Sequence, residues 1–90
     1  MMENLSEHEH EFSDLERDIQ DIKNSKEFND WLKKVLSLTY SVWGKSSSQY
    51  IYAKHMEKHY KIISLLNHFD LHVAQDDAYE IIEICEEALK

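Results

Sequence analysis

The sequence predicts an all-α fold, a four-helix bundle of up-down or closely related connectivity, and three observations predict it. Proline is absent and glycine occurs once, at Gly44, so little interrupts a helix and the tight turns of a sheet lack their usual residues. Apolar residues recur at spacings of three and four along four stretches separated by polar joints. Ninety residues with 42% apolar content form one domain, 1–90, and are too apolar for a disordered acidic tail.

The first stretch reads Leu5, His8, Phe12, Leu15, Ile19 and Ile22, with the 3-4 repeat of a helix packed along a narrow seam. Ser6 and Glu9 have capping-box spacing and predict the helix start. The second stretch runs from residue 24 or 25 to about 43, with Asn24 and Glu27 again at capping-box spacing. Phe28, Trp31, Leu32, Val35, Leu36, Leu38, Thr39, Val42 and Trp43 give it a broad apolar face, so it is expected at the centre. Gly44 is a natural C-cap, since glycine enters the left-handed region at little cost. No breaker separates Ile22 from Phe28, so one bent helix is an alternative there.

Ser46, Ser47 and Ser48 form the next joint and are expected to supply an N-cap. The third helix is expected over residues 49–69. Its apolar side is assigned to Ile51, Tyr52, His55, Met56, His59, Ile62, Ile63, Leu66 and Phe69. After a loop over 70–75, the fourth is expected to start near Asp76 or Asp77, where acids suit the positive helix end. Ala78, Ile81, Ile82, Cys85, Ala88 and Leu89 mark its buried stripe, and Glu80, Glu83, Glu86 and Glu87 its outer side.

Charge is sorted along the chain. Residues 1–30 carry a net −7, residues 31–67 a net +5 from six lysines against Glu57, and residues 68–90 a net −6, for −8 in all. Opposite signs on successive segments favour ends that fold back on the middle, and acidic surface left over suits a basic partner. The overall charge disfavours direct nucleic-acid binding. No apolar run approaches the ~20 residues of a membrane span, and the acidic start of the sequence does not read as a secretory signal. A single cysteine excludes an internal disulfide and suits a cytoplasmic setting.

Residues 28–50 carry Phe28-x2-Trp31, then Leu36 and Leu38, then Trp43-Gly44-Lys45-x-Ser47 and Tyr50. This pattern resembles a small helical region of bacterial defence-associated proteins that often precedes a TIR-like or other nucleotide-binding domain. The resemblance implies a role in bacterial defence or in a phage's answer to it. It implies no catalytic residues.

His55 and His59 have the i, i+4 spacing that can place two imidazoles on one metal. The sequence around them, HMEKH, is neither HExxH nor a Glu-x-x-His pair, so the expected state is two histidines at the edge of the buried face, each with a ring nitrogen bonded to a neighbour. Cys85 falls on an apolar stripe and reads as a small core residue. No nucleophile motif, phosphate loop or distinguished carboxylate pair is present, so no enzyme activity and no cofactor are expected.

Aromatics are numerous for the size. Trp43, Lys45, Tyr50 and Tyr52 are expected to form one contact patch at a helix end, with Glu80, Glu83 and Glu87 as an acidic binding face. The leading functional expectation is a non-catalytic protein that binds another protein with a basic surface, as an inhibitor, anti-defence or immunity-type protein. The alternatives are a self-associating scaffold, through the seam of the first helix, and a histidine-dependent metal-binding bundle.

Overall fold

The structure is a computed structural model that describes the backbone of residues 2–90 and the side chains of residues 8–90. Four α-helices follow one another: α1 (Met2–Asp18), α2 (Ser25–Trp43), α3 (Ser48–Leu65) and α4 (Leu71–Ala88). A 3-10 turn at Ile19–Asp21 closes α1. This is the all-α bundle the sequence predicts.

The helix ends have local causes. α1 already runs through residue 6, so Ser6 lies inside the helix and is not its cap. Ile22 is extended, with ψ 127°, which ends the 3-10 turn and separates α1 from α2. One bent helix is thereby excluded. Asn24 then caps α2, its Oδ1 accepting from the Glu27 N–H at 2.9 Å. The Glu27 carboxylate accepts in return from the Lys23 N–H at 2.8 Å, one residue earlier than the usual capping box.

Gly44 closes α2 with φ 87°, its N–H donating to Tyr40 O at 2.9 Å. Ser47 caps α3, accepting from the Tyr50 N–H at 3.1 Å. α3 stops at Leu65, four residues short of the expected end. Asn67 takes φ 62°, the Asn67 N–H reaches Ser64 O, and the His68 N–H reaches Ile63 O at 2.9 Å. That pair of bonds is a Schellman motif with asparagine in the left-handed position. Asp70 caps α4, its Oδ1 accepting from the Val73 N–H at 3.2 Å. α4 therefore begins five residues before Asp76, and the expected loop over 70–75 is mostly helix.

The connectivity is up-down-up-down. Gln75 Nε2 donates to Ile19 O at 3.2 Å across α4 and the end of α1, while Tyr52 and Tyr60 of α3 reach Glu80 and Asp77 of α4. The closest helix pairs are α2 with α3 and α1 with α4, and α2 also touches α1 and α4, as its broad face predicts. Phe28 is the hub: its ring lies 4.5 Å from that of Tyr60 and 5.9 Å from those of Trp31 and Phe69. The Trp31 indole N–H donates to Leu15 O at 2.9 Å, tying α1 to α2. Phe12, Leu15, Ile19 and Ile22 are all buried in this core. This part of the α1 seam is thus packed within the chain, and Leu5, which opens the seam, lies outside the residues whose side chains are described.

The largest departure lies on α3. Its buried residues are Ala53, Met56 and Tyr60, whereas Ile51, Ile62 and Leu66 are exposed. The helix is rotated so that a small residue and two long ones meet α2 and α4. α4 answers with Ala74 and Ala78, both fully buried. Small residues let backbones approach at the cost of leaving larger apolar groups outside.

Candidate functional site

α3 and α4 enclose an open groove of about 380 Å³, lined by Tyr52, His55, Met56, His59, Tyr60 and Asp77. Five of the six sit on α3 at positions one side of a helix presents, and Asp77 faces them from α4. The phenol of Tyr60, whose side chain is almost wholly buried, donates to Asp77 Oδ2. About two turns back along α3 and one turn on along α4, Tyr52 donates to Glu80 Oε1 at 3.2 Å. The groove wall is thus a ladder of two tyrosine–carboxylate pairs. Burial and the adjoining carboxylates raise both phenols above the ordinary tyrosine value, burial being the larger cause.

His55 and His59 form the outer rim. Both are exposed, and neither makes a hydrogen bond among the described residues. His59 instead meets the Tyr60 ring edge-on at 5.3 Å. The expectation of histidines bonded at the core edge is therefore corrected: the rotation of α3 carries them outward. Among the described residues no three histidine, cysteine or acidic side chains converge on a point where a metal ion could sit.

The expected aromatic patch is distributed over three faces. Trp43 is half-buried and stacks on Phe12 at 5.7 Å. Tyr50 turns toward α2, where it meets Tyr40 edge-on at 5.5 Å, in a lysine-flanked groove with Lys33 and Lys54. Tyr52 turns toward α4, and Lys45 is exposed in the joint between α2 and α3. Of the expected residues, Tyr52 and Glu80 come together. Glu83 and Glu87 continue the exposed acidic row of α4 at helical spacing.

Compared with known proteins, the chain matches no family model, no curated protein and no solved structure. Phe28, Trp31, Leu36 and Leu38, which carry the resemblance noted above, are all core residues of α2.

Charge is segregated in space as well as in sequence. Exposed lysines Lys33, Lys34, Lys54, Lys58 and Lys61 lie on the α2–α3 pair, and exposed acids line α1 and α4. The ion pairs among the described residues all join positions three or four apart on one stretch of chain, so none crosses between helices. Glu80 and Glu83 have no basic partner among them. Sequence reasoning missed Tyr60 and Asp77 as site residues. Their signal was the series Tyr52, Met56, His59, Tyr60, which follows the flank of a helix and not its expected apolar centre. No helix among the described residues is long and apolar enough to cross a membrane.

Proposed function

We propose that this chain is a non-catalytic binding protein that covers a basic surface of another protein with the acidic outer side of α4 and the aromatic edge of α3 beside it. The observation that carries the reading is the exposed row of Glu80 and Glu83, which have no basic partner among the described residues, continued by Glu87 with Lys90 at 3.7 Å, beside a groove lined by aromatic side chains. Uncompensated charge of one sign steers association with the opposite sign, and aromatic side chains supply contact area at low entropic cost. The setting in which such a protein acts as an inhibitor, anti-defence or immunity-type protein is bacterium–phage conflict, a setting supported by the resemblance of residues 28–50.

The test compares wild-type protein with the triple variant Glu80→Lys, Glu83→Lys, Glu87→Lys as bait in extracts of its source cells. All three positions are exposed, so the fold is expected to survive the reversal. A specific protein retained by wild type and lost from the variant supports the reading. Equal retention by both contradicts it.

A second reading, self-association, is favoured by the placement of lysines on α2–α3 and acids on α1–α4, since complementary faces of one molecule can stack copy on copy. Sedimentation at tens of micromolar decides it: a strict monomer removes it.

A further inference from the structure

Within that binding reading, we propose that the α3–α4 groove is a receptor for one arginine side chain of the partner, with Asp77 taking the guanidinium, Glu80 adding charge from just outside the lining, and Tyr52, His55 and His59 flanking its stem.

Four observations converge on a planar organic cation. The groove is concave, at about 380 Å³, which is room for a side chain and too little for a helix. Its α4 wall offers the Asp77 carboxylate, whose Oδ2 is held by Tyr60, and just outside the lining Glu80 Oε1 is held by Tyr52, so both groups are oriented while their second oxygens have no protein partner among the described residues. A carboxylate presented in a fixed plane suits the fork of N–H donors on arginine better than the point charge of lysine. The α3 wall offers aromatic and imidazole faces, on which a guanidinium stacks and along which its methylene stem desolvates. Finally, the apolar Met56 lies on the lining, so the stem meets hydrocarbon and not water.

Other occupants fit less well. A metal ion would need three converging ligands, and the described residues provide no such set. An anion would meet Asp77 and Glu80, with Asp76 close by on the same helix turn.

The tyrosine hydroxyls give the site its selectivity. Each donates to a carboxylate and thereby leaves the carboxylate charged but partly satisfied, which lowers the cost of burying it beneath a ligand. Removing Asp77 should weaken arginine binding without disturbing the exposed acids farther along α4.

The experiment is a heteronuclear NMR titration of the full chain with a short blocked alanine–arginine–alanine peptide. Parallel titrations use the same peptide with citrulline, which keeps the shape and loses the charge, and with lysine. Saturable shifts confined to residues 52–60 and 77–80 are expected with arginine, about tenfold weaker binding with citrulline, and an intermediate result with lysine. Asp77→Asn keeps an acceptor for Tyr60 and should weaken arginine binding about tenfold. The double variant His55→Ala, His59→Ala removes exposed residues, so it should fold, and should weaken binding by a smaller factor. Shifts spread evenly over α1 and α4, or equal binding of arginine and citrulline, overturn the proposal. If the groove fails this test while charge reversal at Glu80, Glu83 and Glu87 still abolishes capture of a partner, the binding reading stands and the arginine receptor does not.

Discussion

The Tyr60 hydroxyl of α3 donates to Asp77 Oδ2 of α4, joining a residue of the hydrophobic hub to one of the groove wall. The same ring packs against Phe28 at 4.5 Å on its inner side. Tyr60 thus couples the core to the candidate site: any loosening of the core around Phe28 is transmitted to the carboxylate that would meet a ligand.

That coupling has an alkaline signature. Tyr60 is raised above the ordinary tyrosine value in the folded state, by burial first and then by its bond to Asp77. A raised folded value means stability that is complete below about pH 10, where the unfolded tyrosine titrates, and that is lost as pH climbs above it. Ultraviolet absorbance titration should show one of the five tyrosines ionising only together with loss of the helical circular dichroism signal. Tyr60→Phe should remove that coupled ionisation, leaving four tyrosines to titrate, and should move alkaline unfolding to higher pH.

Cys85 offers a second probe of the same core. Its thiol is fully buried and pushed up to about 12, chiefly by desolvation. A disulfide reagent at neutral pH should label it only through opening of α4, at a rate far below that of the urea-unfolded chain. Rapid labelling of the native protein would show that α4 is loosely held.

Glu86 is a place where the acidic side costs stability. Burial, and after it the carboxylate of Glu16, raise its value above that of an ordinary glutamate, with Glu9 a smaller cause and Lys90 opposing. A raised folded value makes its contribution most favourable in acid, below about pH 4, and unfavourable once it ionises as pH rises. Glu86→Gln should therefore raise Tm at pH 7 by about 2–5 °C and change it little at pH 4, as read by thermal circular dichroism.

The end of α3 depends on one backbone conformation. Asn67 sits at φ 62°, where asparagine and glycine are tolerated and branched side chains are not. Asn67→Val should cost about 1–2 kcal/mol in urea unfolding, whereas Asn67→Gly should leave stability equal or higher by about 0.5 kcal/mol.

The parts of the fold legible in the sequence are those governed by local chemistry. Asn24, Gly44 and Ser47 act as caps because their side chains or lack of one satisfy nearby backbone groups, a matter of four or five residues. The width of the α2 apolar face correctly marked the central helix. Ser6 misled because a capping pattern is silent when the residues before it also favour helix. Asn67 and Asp70 went unused for the opposite reason: apolar residues on both sides masked two good stop and start residues.

The rotation of α3 could not be read locally. Isoleucine and leucine promise burial, but Ala53, Met56 and Tyr60 are chosen instead because Ala74 and Ala78 of α4 and Phe28 of α2 shape what fits. That tertiary choice exposes Ile62 and Leu66 and opens the groove beside His55 and His59. Tyr52 and Glu80 were each expected at a contact surface; their meeting across α3 and α4 emerges only from the packing.

The measurement that bears most directly on the central claim is calorimetric affinity for the captured partner across a series of salt concentrations. An acidic face meeting a basic one should lose about tenfold or more in affinity between low salt and several times physiological ionic strength, as exposed charges become screened. Affinity unchanged by salt would contradict a binding surface built on Glu80, Glu83 and Glu87.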